Sequence, residues 1–110
     1  MDIPVSEAPL TVRDNLFDLA PIIPGKLGHS TVLAAPGVRV IVLAFESGWV
    51  LKEHIAPKQL LMQALDGRFI VTAAGKQTTL VPGGLLRLDE SLPHAVEALE
   101  DSHLMLTLVG

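Results

Sequence analysis

An all-β fold, either a sandwich or a barrel, is predicted by the spacing of turns in the 110-residue sequence and by its weak helix signals. Short β-branched and aliphatic segments recur along the chain, and turn residues separate them at intervals of roughly 8–12 residues. The strongest of these turns is Asp66-Gly67, a pair that favours tight hairpins. Helix propensity is confined to "KQLLMQAL" (58–65), which has no N-cap ahead of it except Pro57 and runs into the same turn. The helical alternative is therefore the weaker one for this segment.

Residues 1–28 are predicted to be an irregular arm and loop, and residues 29–110 a β-barrel domain. Residues 1–14 are polar and show no periodicity, and "PIIPGKLG" (21–28) contains two prolines and two glycines, which favour a loop. We expect the arm to pack on a partner subunit. The N-terminus has no basic segment followed by an apolar stretch, so no signal peptide is predicted and a cytoplasmic location is expected.

Strands are predicted for nine segments that end at turn residues. In chain order they are "STVLAA" (30–35), "VRVIVLAFES" (38–47), "WVLKEHI" (49–55), "LLMQAL" (60–65), "RFIVTA" (68–73), "QTTLV" (77–81), "LLRL" (85–88), "HAVEAL" (94–99) and "HLMLTLV" (103–109).

The composition excludes several kinds of site. The sequence has no cysteine, so disulfides, thiolate metal sites and cysteine nucleophiles are excluded. A net charge of −4 without a basic cluster, and an aromatic content of 4%, argue against nucleic-acid binding. No apolar run approaches the ~20 residues that span a bilayer, so no membrane partner is expected.

A homodimer is predicted from the surplus of apolar residues, which make up 49% of the chain. The segments "VRVIVLAF" (38–45) and "HLMLTLV" (103–109) are almost continuously apolar, which is typical of strands covered on both faces. One small barrel would leave an outer face exposed. We therefore expect a two-fold dimer with a mainly aliphatic interface of at least about 1,200 Å².

Two motifs follow one another between Gly48 and the C-terminus. In the first, five residues separate Gly48 from His54; in the second, a turn at 82–84 and a strand precede His94, which directly follows Pro93. In this order the motifs resemble the small single-domain cupins of the RmlC-like type, which are antiparallel jelly-roll β-barrels. The resemblance implies that the barrel domain has this fold.

In that family the first motif continues with a second histidine and a glutamate. Ala56 stands at the place of the second histidine, and Gln59 is the best match to the glutamate. If the family's metal is retained, the resemblance assigns His54, His94 and Gln59 as ligands of Fe, Mn, Ni or Zn. Two imidazoles and one amide oxygen make a neutral and weak donor set.

Strand alternation predicts which side chains share the barrel lumen with the histidines. Lys52, His54 and Ala56 are expected on one face, and Leu51, Glu53 and Ile55 on the other. His94 is expected to head a small apolar face with Val96 and Ala98. The predicted ligand pocket contains His54, Gln59, His94, Lys52 near the mouth, and Met62 as a wall. The simpler, purely structural interpretation is that Lys52 lies at a solvated strand edge and that Met62 fills a gap in the core.

Two functions from different classes fit these residues. The favoured one is a non-catalytic module that binds a small organic molecule in the lumen, because the ligand carboxylate is missing. The alternative is a metal-dependent enzyme of dioxygenase, isomerase or lyase type that acts on a small metabolite, as the resemblance implies for metal-bearing relatives. A dimer whose barrel holds no ligand is the third possibility.

Four further residues carry weaker expectations. His29 and His103 have no motif around them and are expected at the surface or at strand ends. Arg87 is expected to pair with a carboxylate at a sheet edge. Trp49 is expected to be buried in the core or an interface.

Overall fold

The computed structural model describes residues 5–110, so residues 1–4 of the predicted arm lie outside the described part. The described residues form one short helix, α1, and nine strands. In chain order these are α1 (Leu16–Leu19), β1 (Gly28–Ala35), β2 (Val38–Phe45), β3 (Val50–His54), β4 (Gln59–Asp66), β5 (Phe69–Ala73), β6 (Lys76–Leu80), β7 (Leu86–Leu88), β8 (His94–Ala98) and β9 (Ser102–Val109). Each predicted strand is present, within about two residues of its expected ends.

Two antiparallel sheets make up the domain. One has the strand order β1-β2-β9-β4-β7 and the other the order β3-β8-β5-β6. Every described strand pair is antiparallel. The prediction of an all-β, antiparallel jelly-roll fold is confirmed, and "KQLLMQAL" contributes to strand β4 rather than to a helix.

The main core lies between the two sheets. Phe45 and Phe69 are fully buried and meet edge to face with ring centroids 5.2 Å apart. Met62 and Leu104 belong to the same cluster. Met62 belongs to a buried alternation along β4, whereas Phe45 and Leu104 lie on strands with consecutive buried residues on both faces.

A second, smaller apolar cluster covers the outer face of the five-stranded sheet. Val32 and Val42 are buried there against Leu16 and Ala20, which belong to the N-terminal segment of the same chain. Both faces of the nearly continuous apolar strand β2 are thus covered. The core covers one face, and the chain's own arm covers part of the other. The division at residue 28 stays a prediction, but the described part of the arm packs on its own sheet, where we had expected a partner subunit.

Hydrogen bonds hold this arm in place. The Arg13 guanidinium Nε donates to the carbonyl oxygen of Val32 at 2.6 Å, and His103 Nε2 donates to that of Ala20 at 2.9 Å. Nδ1 of His103 lies 3.0 Å from a carboxylate oxygen of Asp66. His103 is 7% exposed, so it is not a surface residue, but it lies at the start of β9, in agreement with the strand-end alternative. Its partners come from the arm and from a neighbouring strand.

The hairpin between β4 and β5 requires glycine at position 67. Gly67 has φ +73°, and a Cβ built there would collide with Oγ of Ser102. That hydroxyl accepts a hydrogen bond from the backbone N–H of Arg68 and donates one to the carbonyl of Glu100. Glycine at position 67 is therefore required both by a left-handed backbone and by the close approach of β9, the strand that carries Ser102. Within residues 5–110, no helix is long and apolar enough to cross a membrane.

Candidate functional site

A β-bulge in β3 places His54 on the lumen side. Leu51 pairs with Val96 and His54 pairs with His94, so three steps along β3 match two along β8. The extra residue turns the strand, and both Leu51 and His54 line a pocket between the sheets while Lys52 is exposed. The predicted face shared by Lys52 and His54 was therefore wrong, because simple alternation does not hold across a bulge.

The two motif histidines approach each other as predicted. The imidazole centroids of His54 and His94 are 4.3 Å apart, with an angle of 58° between the ring planes. Nδ1 of His54 donates to the carbonyl of Lys52 at 3.0 Å, and Nδ1 of His94 donates to that of Leu92 at 2.9 Å. Since a carbonyl only accepts, each Nδ1 carries the proton, and Nε2 of a neutral ring keeps its lone pair.

His94 is buried without a partner for that lone pair. The residue is 1% exposed, and its Nε2 has no hydrogen-bond partner among the described residues. Burial lowers the pKa of the His94 imidazole; the hydrogen bond to Leu92 opposes this shift and the nearby His54 ring adds to it. The neutral form of His94 is thus favoured, with a hydrogen-bond acceptor in an apolar region.

The turn before β8 holds His94 and one wall of the pocket. Ser91, which has φ +61°, donates its backbone N–H to the carbonyl of Ala56 at 2.8 Å. This bond ties the β3–β4 connection to the turn that also supplies Leu92, the partner of His94. The imidazole and the Ala56 wall are therefore fixed by the same backbone contacts.

The pocket has a volume of about 320 Å³ and is lined almost entirely by aliphatic side chains. Among residues 5–110, the polar side chains of the lining are three histidines, and no Asp, Glu, Lys or Arg contributes. The apolar lining residues are Leu27, Ile41, Leu43, Leu51, Ile55, Ala56, Pro57, Leu60, Leu106 and Leu108. A volume near the lower end of the ~300–1,000 Å³ range typical of small-molecule sites suits a compact ligand.

Three residues of the sequence-predicted pocket lie elsewhere. Gln59 accepts a hydrogen bond from Arg87 at 3.0 Å on the outer side of β4. Lys52 is exposed, and Met62 is 1% exposed inside the core rather than at the pocket wall. On β4, the side chain that faces the pocket is that of Leu60, the residue after Gln59. Neighbouring residues of a strand point to opposite faces, so Gln59 points away from the histidines.

The residues present do not fit a divalent metal. His54 and His94 offer two adjacent imidazoles. His29 also lines the pocket, but Gln59 faces away, and the side chains of Ala56 and Leu60 supply no donor atom. Among residues 5–110, no group of three or more His, Cys, Asp or Glu side chains could hold a metal ion. A divalent transition metal generally takes three or four protein ligands, so this donor set is too small.

His29 is the pocket residue that sequence reasoning missed. It lies on the pocket lining opposite Leu43, its register partner in β2. Without a bulge, the hairpin that turns at residues 36–37 would pair His29 with Ala44, which lies on the opposite face of β2 from Leu43. The bulge between Thr31 and Leu33 shifts this register by one residue. Only cross-strand pairing could have identified His29, and the sequence does not show the bulge.

Two other expectations concern residues next to the site. Arg87 forms an exposed ion pair with Asp89 at 2.8 Å on β7, an edge strand, as predicted. Trp49 is half-buried against the main core and does not line the pocket.

Comparison with known proteins shows similarity at the level of structure. No protein-family model matches the sequence, and no curated protein matches it. A cupin superfamily protein from Desulfitobacterium hafniense superposes with a TM-score of 0.80 at 16% identity, over 97% of this chain and 98% of that one. An RmlC-like cupin from Shewanella frigidimarina gives a TM-score of 0.73 at 17% identity, over 84% and 85% of the two chains.

A third structure shares more sequence with this chain. It is a cupin 2 conserved barrel domain protein from Leptotrichia buccalis, with a TM-score of 0.77 and 30% identity. The match covers 87% of this chain but 47% of that one, so the chain spans about half the length of this relative.

Proposed function

We propose that this chain, which has the cupin fold, is a binding module that holds a small apolar molecule between its two sheets. The observation that carries the proposal is the pocket of about 320 Å³, whose aliphatic walls enclose two adjacent imidazoles without any carboxylate. Apolar walls with a few polar anchors are typical of small-molecule sites. His54 and His94 act as the anchors.

The metal-dependent enzyme stays the alternative, and its support is weaker. The two histidines stand where the cupin resemblance places ligands, but Ala56 and Leu60 occupy the neighbouring inward positions. A site with two imidazoles would bind Zn or Ni weakly. Metal analysis of untagged protein, purified without chelator or nickel resin, distinguishes the two functions: stoichiometric metal would contradict the binding-module proposal.

Ligand binding is tested with a library of small neutral compounds, followed by amide chemical shifts. Hits are expected to shift residues of the pocket lining, and Ala56→Phe is expected to abolish binding because its ring occupies the pocket. Lys52→Ala is the matched control, since Lys52 is exposed outside the pocket. Binding that survives Ala56→Phe, or a library without any hit at the pocket, would contradict the proposal and favour a barrel without a ligand.

We also propose that the chain forms a homodimer through the outer side of its arm. Five large apolar side chains between residues 10 and 23 are exposed on the single chain, and they are Leu10 (77%), Val12 (61%), Phe17 (43%), Leu19 (45%) and Ile23 (41%). Several exposed large apolar side chains on one segment are typical of an interaction surface. A second copy would cover it, and Leu10→Asp is expected to weaken the dimer. The cytoplasmic location expected from the sequence stays a prediction.

A further inference from the structure

Resting on the proposed binding function, we infer that the ligand is a neutral molecule with an apolar body and an O–H group, of the phenol or alcohol class, which donates a hydrogen bond to Nε2 of His94. The pocket selects this chemistry through the hydrogen-bonding state of His94, the uncharged lining of the described residues and its small volume.

The first step is the direction of the hydrogen bond. Nδ1 of His94 already donates to Leu92 at 2.9 Å, so the neutral ring presents an acceptor at Nε2. That atom is buried and lacks a partner among the described residues. A buried acceptor without a partner is costly, and the ligand group that satisfies it must be a donor. An O–H group supplies that donor, whereas a carbonyl, ether or carboxylate supplies only acceptors.

The second step excludes anionic ligands. A carboxylate or phosphate would need a cationic partner, and no Lys or Arg of the described part of the chain lines the pocket. An anion would therefore lose its hydration without compensation. A neutral ligand avoids this cost.

The third step concerns the remainder of the ligand. Leu43, Leu60 and Leu106 come from the five-stranded sheet, and Leu51 comes from the opposite sheet, so aliphatic side chains line the pocket from both sides. An apolar body gains from burial against these side chains at roughly 25 cal/mol per Å². A polar group at the end of the body that lies away from the histidines would face those walls without a partner. One hydroxyl at one end of a compact apolar molecule matches the lining.

The test compares three probes of nearly the same shape: p-cresol, p-xylene and p-toluate. They carry a hydroxyl, a methyl and a carboxylate group at the same ring position. Dissociation constants are measured by titration of the full chain, and the ¹⁵N resonance of His94 Nε2 is followed in parallel. We expect p-cresol to bind at least about tenfold more tightly than p-xylene, which is ~1.4 kcal/mol. We also expect the Nε2 resonance to shift only with p-cresol.

Variants locate the preference at one atom. In His94→Leu the ratio of p-xylene to p-cresol dissociation constants is expected to fall to one or below, while p-xylene still binds. Lys52→Ala should keep the wild-type ratio. The resonance of His94 provides the same test without a substitution, should the leucine variant fail to fold.

The outcomes separate the inference from the function on which it rests. Equal binding of p-cresol and p-xylene, or tighter binding of p-toluate, would overturn the hydroxyl-donor inference while leaving the pocket as a binding site. Binding of none of the three probes would overturn the inference together with the proposed function.

Discussion

Replacement of His94 by leucine is expected to leave the free protein at least as stable as the wild type. The imidazole is 1% exposed and makes one hydrogen bond, to Leu92. Losing that bond costs about 0.5–1.5 kcal/mol, whereas removing the unpartnered Nε2 recovers about 1–3 kcal/mol. The balance is a gain on the order of 1 kcal/mol for the variant, measured as the free energy of unfolding in urea near neutral pH.

The pH dependence of that free energy provides an independent check. Because the pKa of His94 is lowered in the native state, the unfolded chain binds more protons in the titration range. The free energy of unfolding is therefore at its full value above the unfolded pKa of about 6.5. The part of it that depends on His94 is lost as the pH falls from there through the folded pKa. One histidine contributes a slope of at most about 1.4 kcal/mol per pH unit. The leucine variant should lack this contribution, so its advantage should grow as the pH falls.

An exposed histidine supplies the control. His29→Gln should leave the stability near neutral pH unchanged to within about 0.5 kcal/mol, since His29 is exposed. A loss of more than about 2 kcal/mol in His94→Leu near neutral pH would refute the reasoning, because it would mean that Nε2 makes a stabilising bond. An unchanged pH slope would contradict the burial argument separately.

The remaining predictions concern the incomplete metal site, one glycine and the oligomer. Ala56→His with Leu60→Glu should raise Zn affinity by at least about a hundredfold in calorimetry, because both positions line the pocket. Ala56→His with Gln59→Glu should gain less, since Gln59 bonds Arg87 on the other face; equal gains would show that β4 is assigned to the wrong face. Gly67→Ala should destabilise the protein by about 2 kcal/mol or more in urea unfolding, whereas Gly75→Ala should cost about 1 kcal/mol: both have φ +73°, but only the first would place a Cβ against another strand. Light scattering at micromolar concentration should show a dimer, and a stable monomer would mean that the arm alone suffices as cover.

The resemblance to cupins was carried by local patterns, and the prediction of this fold is confirmed. Short β-branched and aliphatic segments define the strands, and glycine and proline define the turns between them, so strand positions could be predicted without knowledge of the partners. The two histidines could be predicted to meet because a spaced motif fixes each on a particular strand. Helix α1 was missed, since its four residues depend on the Asn15 cap and on packing against the sheet.

The lining of the pocket could not be predicted in the same way. Alternation assigns faces correctly only while the strand is regular, and each bulge reverses the assignment from that point on. The bulge in β3 removes Lys52 from the lumen, and the bulge in β1 brings His29 to it. Gln59 was a different error: a shift of one residue along a regular strand put an outward side chain in place of Leu60.

The sequence by itself determined the strands and the turns, because these depend on the pattern of apolar residues and on the backbone preferences of glycine and proline. The cupin topology was implied by the resemblance of its two motifs to that family. The tertiary structure decided which side chains face the pocket and what covers the outer sheet. Those features depend on the register between strands distant in sequence and on the path of an arm without periodicity. The acceptor at Nε2 of His94 is of this second kind, since both its burial and the Leu92 contact that sets its tautomer exist only in the folded chain.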